Sequence, residues 1–220
     1  MLTETAQVPG VLPPVLGSAV AVIALVACDQ RDYRPGRYLF KPLAALAFIW
    51  LAVVLGAPDS SYGRWLLAGL LCCMAGDLLL MPDREHYFLA GLIAFLCGHL
   101  LYATAFLHLP LEPRGLAVSV PPALVLLAFV ARWLMPRVPA GMKLPVAIYT
   151  LVITAMLLCA GLSAGQPAAA LIIGGAWGFA VSDLAVARQQ YVHPDRWNRL
   201  WGTPLYFLSQ MILALSLALV

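Results

Sequence analysis

The chain has 220 residues, 63% of them hydrophobic and only 10% charged, with a formal net charge of +3. Soluble globular domains carry about 25% charged residues, so a chain this apolar cannot cover a water-facing surface and is expected to use the bilayer as its solvent. That excludes a separate soluble catalytic domain, and the small basic excess calls for no nucleic-acid partner.

From the N-terminus, residues 1–10 form a leader with Glu4 but no Lys or Arg. It lacks the basic segment of a secretory signal, so the first apolar stretch is read as a mature helix. Spans are predicted over residues 11–28, 38–56, 64–81, 87–108, 115–134, 145–161, 168–187 and 202–220. Each is long enough to cross roughly 30 Å of hydrocarbon as a helix, and the short alternating segments of a barrel are absent. Short turns such as Arg34-Pro35-Gly36, Ala57-Pro58-Asp59 and Gly165-Gln166-Pro167 separate the spans. The expected fold class is therefore all-α: a polytopic membrane protein of eight transmembrane helices, forming one integral membrane domain over residues 1–220. Cys28, Cys72, Cys73, Cys97 and Cys159 lie in or at the ends of apolar stretches without metal-site spacing, and read as small hydrophobes.

Basic residues divide unevenly between the two sides. The first, third, fifth and seventh loops, with Lys41 just inside the second span, hold 11 Lys and Arg; the other side holds only Arg64 and Arg114. By the positive-inside rule the odd loops, including 188–201, are cytoplasmic and both termini lie outside the cytoplasm. In a bacterium the location would be the inner membrane. Trp65, Trp133, Trp197 and Trp201 fall near span ends, where interfacial anchors belong.

Three charged residues lie inside spans: Lys41, Asp77 and Asp183. An intramembrane ionisable group is costly, faces the bundle interior and marks a functional site by default. Counting helical rise from the predicted span ends puts Asp77 and Asp183 each roughly 6 Å inside the cytoplasmic edge. Lys41, Tyr149 and Tyr206 reach a similar depth, so these five groups from five helices are expected to line one cavity open toward the cytoplasmic leaflet. Gln210 shares a face with Tyr206 one turn on. His99 is placed deeper, roughly 18 Å in, on a face with Gly91, Phe95, Gly98 and Tyr102. Interhelical hydrogen bonding is the plain alternative for Tyr102, Tyr149, His99 and Gln210, and Lys41 could snorkel to the surface. A faint tandem symmetry suggests two four-helix halves of the same orientation: Gly76-Asp77-Leu78 echoes Ser182-Asp183-Leu184, and Lys41-Pro42 echoes Leu144-Pro145.

The run Ala75-Gly76-Asp77-Leu78-Leu79-Leu80-Met81, followed by Phe88-Leu89-Ala90-Gly91, Phe95, His99 and Tyr102, resembles the YhhN-like lysoplasmalogenase family of membrane proteins. So do Ser182-Asp183-Leu184 with Pro204, Tyr206 and Gln210, and Lys41-Pro42 and Pro145 with Tyr149. The resemblance implies a hydrolase that cleaves the vinyl-ether bond of a lysoplasmalogen, giving a fatty aldehyde and a glycerophospho-alcohol. Its substrate partner would be a lysophospholipid within membrane lipid, and no cofactor or metal is expected.

A vinyl ether is hydrolysed by protonation of its double bond, addition of water to the oxocarbenium ion and collapse of the hemiacetal. Two carboxyl groups in different protonation states suit this chemistry, so Asp77 and Asp183 are the expected catalytic pair. Tyr149, Ser182, Tyr206, Gln210 and His99 are expected to orient substrate, water or carboxylates, and Lys41 to bind the substrate phosphate. Three other readings fit less well. A zinc amidase needs converging histidines, whereas His86, His99, His108 and His193 are scattered. A serine hydrolase would show a Gly-x-Ser-x-Gly elbow, which is absent. A small transporter or proton-coupled carrier could use the intramembrane aspartates and the glycines at 174, 175 and 178, and stands as the alternative function.

Overall fold

Lipid offers no hydrogen bonds to the backbone, so an apolar chain of this kind closes its N–H and C=O groups within helices. A computed structural model describes residues 10–82 and 84–220 and has this form. Its helices are α1 (Leu12–Gln30), α2 (Arg34–Val54), α3 (Ser61–Leu79), α4 (Glu85–Leu107), α5 (Arg114–Trp133), α6 (Ala140–Gly161), α7 (Ala169–Tyr191) and α8 (Arg196–Leu215). All eight are long and apolar enough to span a bilayer, and the chain is an integral multi-pass membrane protein. The predicted leader lies, Gly10 excepted, outside the described residues.

Helix ends follow local chemistry rather than hydropathy. Prolines stand in the first turns of α1 and α2, where their missing N–H costs nothing. Ser60 caps α3 by accepting from the Gly63 amide at 3.0 Å, and Asp195 caps α8 by accepting from Asn198 at 3.0 Å. Gly56 turns the chain out of α2 in a left-handed conformation, φ +77°. Several predicted boundaries were short. α2 starts at Arg34 rather than 38, α6 at Ala140 rather than 145, α7 runs to Tyr191 rather than 187, and α8 starts at Arg196 rather than 202. The predicted loop 188–201 contracts to residues 192–195. Charged residues end the hydrocarbon span, but they do not end a helix that continues into the headgroup region.

Consecutive helices pair as hairpins, α1/α2, α3/α4, α5/α6 and α7/α8. Between membrane helices there is no hydrophobic drive, so small residues set how closely they approach. Gly69 and Gly76 of α3 lie under the rings of Tyr102 and Phe95 of α4, where a Cβ would come within 2.5 and 2.7 Å. In α7/α8, Gly175 faces Leu213 and Gly178 faces Ser209. The halves then interlock: α4 packs on α6, and α8 packs on α2. This exchanged pairing repeats the faint tandem symmetry of the sequence in three dimensions. Phe48, Leu70, Phe106, Met156, Phe179 and Phe207 fill the common core, while Val20, Ile23, Val118 and Leu144 face outward.

Candidate active site

Asp77 lies in the last turn of its helix and Asp183 eight residues before the end of its own, and each is engaged by two other helices. Asp77, in the last turn of α3, is buried at 2% exposure. Its Oδ2 accepts a hydrogen bond from Tyr206 of α8 at 2.7 Å. Its Oδ1 lies 3.2 Å from the ammonium of Lys41 on α2. Lys41 also donates to the main-chain carbonyl of Asp77 at 3.1 Å, one of the last carbonyls of α3 that has no partner within its own helix. One lysine thus neutralises the carboxylate and satisfies the helix end. Snorkelling alone would not direct its ammonium into this contact.

Asp183, on α7, has a different neighbourhood. Its Oδ2 accepts from Tyr149 of α6 at 2.9 Å and lies 3.4 Å from Nε2 of His99 on α4. The side chain is 15% exposed, against 3% for Asp77, so Asp183 is the more accessible carboxyl. His99 is fully buried. Its Nδ1 is 2.7 Å from the carbonyl of Phe95 one turn earlier; a carbonyl only accepts, so Nδ1 carries a proton. Nε2 makes no hydrogen bond and faces the Asp183 carboxyl. A single proton between them would satisfy both atoms, as imidazolium with carboxylate or imidazole with carboxylic acid.

The two groups are related by the internal symmetry. Asp77 and Asp183 are 106 residues apart, His99 and Tyr206 are 107 apart, and Lys41 and Tyr149 are 108 apart. Each carboxyl meets the preceding helix of its own half and the last helix of the other half. Leu144, the sequence match to Lys41, is instead 70% exposed, so the spatial counterpart of the lysine is Tyr149, one turn on. Phe179, one turn before Asp183, joins the groups. Its ring stacks on His99 with centroids 4.2 Å apart and lies 5.5 Å from that of Tyr206. Phe95 closes the other side, 5.8 Å from Tyr206 and 6.1 Å from Phe179. Phe95 was read in the sequence as sharing a face with His99, whereas Phe179 escaped notice although it stands four residues before Asp183.

The remaining predicted residues separate. Gln210 accepts from Tyr102 at 2.5 Å and touches neither carboxyl. Ser182 donates to the Phe179 carbonyl of its own helix at 2.7 Å and holds no site group. His99, placed deeper than the aspartates by the helical count, brings its Nε2 within 3.4 Å of the Asp183 carboxyl. The five groups also differ in distance from their helix ends: Asp77 is two residues before the end of α3, Asp183 eight before the end of α7. Helix ends depart from the predicted span ends by unequal numbers of residues, so a predicted span end is a poor ruler. An apolar groove of about 690 Å³ between α1 and α2, lined by Leu16, Val20, Phe40, Leu43 and Trp50 among others, includes neither aspartate.

Comparison with known proteins adds chemistry to this geometry. Residues 36–217 match the sequence model of the YhhN family. The chain is 32% identical over 210 residues to Lysoplasmalogenase TMEM86B of Rattus norvegicus, covering 93% of the chain and 82% of that protein. It is 30% identical over 208 residues to Lysoplasmalogenase TMEM86B of Homo sapiens, covering 93% and 84%. It is 30% identical over 164 residues to the Lysoplasmalogenase of Mycobacterium tuberculosis (strain CDC 1551 / Oshkosh), covering 71% and 62%. No solved structure matches.

Proposed function

The chain belongs to the YhhN family, and from that membership and the geometry of its carboxyl pair we propose that it hydrolyses the vinyl-ether bond of lysoplasmalogens. The observation that carries the reading is the pair of membrane-embedded aspartates. One is matched by a lysine and the other by a tyrosine and a histidine, in a chain whose lysoplasmalogenase relatives align over 93% of its length.

The unequal surroundings divide the roles. Asp77, with the Lys41 ammonium 3.2 Å away and a hydrogen bond from Tyr206, is the carboxyl placed to bear negative charge in the reaction. Asp183 and His99 together hold the transferable proton. That proton passes to the β-carbon of the vinyl ether, forming a C–H bond as the double-bond electrons move and leaving an oxocarbenium ion. Asp77 offsets its charge. Water adds to the cationic carbon and gives up a proton to the carboxylates, producing a hemiacetal. A proton passes to the glycerol oxygen as the carbon–oxygen bond breaks, the hemiacetal hydroxyl gives its own proton back to the carboxyl pair as the C=O bond forms, and aldehyde and glycerophospho-alcohol leave with the site's proton restored. Tyr149 and Tyr206 orient the two carboxyls, while Gln210 acts at one remove by fixing Tyr102. Lys41, engaged by Asp77, is better suited to stabilising negative charge on that carboxyl than to gripping phosphate. The odd loops are cytoplasmic in this scheme, so the lipid enters from the inner leaflet.

The test is turnover by purified protein in detergent, run in D₂O. A vinyl-ether lysolipid should yield aldehyde with one deuterium on the carbon next to the carbonyl, while the alkyl-ether analogue yields none. Aldehyde without that deuterium would rule out protonation at carbon, and no aldehyde at all would rule out the activity.

A further inference from the structure

A second charged cluster sits nearer the membrane surface on the same side as Asp77, and the chemistry above does not use it. Asp29, in the last turn of α1, is only 4% exposed although it stands at a helix end. Its Oδ1 is 2.8 Å from Nε of Arg37 on α2 and 3.9 Å from Nη1 of Arg199 on α8. Lys41 acts on Asp29 electrostatically as well, so the cluster adjoins the Asp77 group. Arg37 lies one turn before Lys41 on α2, and Arg199 lies two turns before Tyr206 on α8. Each helix therefore presents an arginine near the surface and a ligand of Asp77 deeper in.

Asp29 Oδ1 accepts no hydrogen bond despite these distances, so it holds the two arginines by charge and leaves their donors to other acceptors. Two guanidinium groups bring ten N–H donors, and one carboxylate offers about four lone-pair sites. With Asp32, which also acts on Asp29 and is paired with Arg196 at 2.7 Å, the neighbourhood holds four cations (Arg37, Arg196, Arg199 and Lys41) against three carboxylates (Asp29, Asp32 and Asp77), which leaves one positive charge in excess. Arg199 occupies the first turn of α8, which is capped by Asp195, and Arg37 occupies that of α2, whose cap and first turn carry no acid. The positive end of a helix dipole disfavours a cation there. The arginine side chains are 20% and 29% exposed, so the group is open to a ligand. What completes it is a singly charged anion with several acceptor oxygens, and forked guanidinium groups match phosphate oxygens in pairs.

We propose that Arg37 and Arg199, held by Asp29, form the subsite for the phosphate of a lysophospholipid, one helical turn toward the surface from Lys41. This rests on the lysoplasmalogenase reading for the identity of the lipid, and its geometry agrees with it. In a lysophospholipid the phosphorus and the oxygen on the first glycerol carbon are separated by five single bonds, roughly 6 Å when extended, close to the ~5.4 Å of one helical turn. Phosphate at Arg37 and Arg199 therefore sets the ether oxygen level with Lys41 and Asp77.

The experiment measures binding, so it stands apart from turnover. The purified protein is titrated with an uncleavable alkyl-ether lysophospholipid, with the corresponding alkyl glycerol lacking phosphate, and with inorganic phosphate. Wild type should bind the phospholipid at least tenfold more tightly than the alkyl glycerol, and inorganic phosphate far more weakly than either. Arg199→Gln should bring the lipid ratio toward one, while Arg64→Gln on the opposite side leaves it unchanged. Arg37→Gln strands Asp29, so the double variant Asp29→Asn with Arg37→Gln serves if the single one fails to fold; it should also lose the ratio. Equal wild-type affinity for the two lipids, or an Arg199→Gln protein that keeps the full ratio, overturns the subsite whether or not aldehyde is ever released. Inorganic phosphate binding as tightly as the phospholipid overturns the lipid as its ligand. A retained phosphate preference with no aldehyde release would refute the hydrolase reading alone.

Discussion

Replacing the two aspartates by asparagine should separate charge from shape. Asparagine is nearly isosteric, so packing around either site survives. In Asp183→Asn the amide oxygen can still accept from Tyr149, at 2.9 Å in the parent, and His99 can rest as neutral imidazole, so no fixed cation is stranded. Its stability should stay within about 0.5 kcal/mol of wild type. Asp77→Asn is different, because it leaves the Lys41 ammonium, 3.2 Å away, without its counter-ion. Breaking a fully buried pair costs about 3–5 kcal/mol. Lys41 keeps a fifth of its side chain exposed and retains the Asp77 carbonyl, which reduces the expected loss to about 1–3 kcal/mol. Adding Lys41→Met should restore stability by removing the stranded charge. Turnover follows another rule: losing general acid–base function lowers kcat about 100- to 10,000-fold, so both single variants should be nearly inactive and the double variant should stay so. Thermal unfolding of monodisperse protein in detergent and aldehyde release across substrate concentration read the two effects. An Asp77→Asn protein as stable as Asp183→Asn would refute the ion pair. Near wild-type turnover in either asparagine variant, or its recovery in Asp77→Asn with Lys41→Met, would refute the chemical role of the carboxylates.

Tyr206→Phe keeps the ring contacts with Phe95 and Phe179 but removes the hydrogen bond to Asp77; kcat should fall by about 10- to 100-fold, as for a bond to a charged group, with KM little changed, in steady-state kinetics. His99→Phe should keep the stack on Phe179 while removing the Nε2 that faces Asp183; kcat should fall by about 100-fold or more, read by aldehyde release from folded protein. Gly115→Ala would place a Cβ 2.0 Å from the Gly161 carbonyl oxygen, forcing α5 off α6 and lowering the unfolding temperature. Against the burial that raises it, hydrogen bonds from Arg188 and the Asn198 amide, with the charges of Arg188 and His193, hold Asp195 below the usual carboxylate range. Its contribution is therefore full above an unfolded pKa of about 3.9 and lost as pH falls through the lower folded value, so amide exchange at residues 192–198 should rise only in that acid window. Cysteine-accessibility mapping should place the end of α8 outside the cytoplasm and the 192–195 turn inside; the reverse would overturn the orientation.

Much of the fold was legible because the bilayer imposes a coarse rule. Any segment of about 20 apolar residues must close its backbone as a helix, so eight spans, their order and the unusual status of Lys41, Asp77 and Asp183 followed from composition and spacing alone. Tyr149 and Tyr206 were found through the same count. Helix ends were less legible: hydropathy falls where charges begin, whereas Asp195 and Ser60 decide where a helix stops. Asp29 was overlooked for that reason. It stood one residue beyond a predicted span and read as loop, yet the close packing of α1, α2 and α8 buries it.

Depth along a helix is a one-dimensional quantity, and the sequence determined it only to within the unequal offsets between predicted span ends and helix ends. Which groups meet is set by how helices rotate and cross, and here glycines decide that by letting α3 close on α4 and α7 on α8. That packing brought Nε2 of His99 to Asp183, turned Lys41 onto Asp77 and left Ser182 on its own helix. It also gave two carboxyls from one repeated motif unlike partners. A motif specifies residue types along one strand of chain, while the partners that fix a carboxyl's proton come from helices about a hundred residues away, and only tertiary packing brings them within reach.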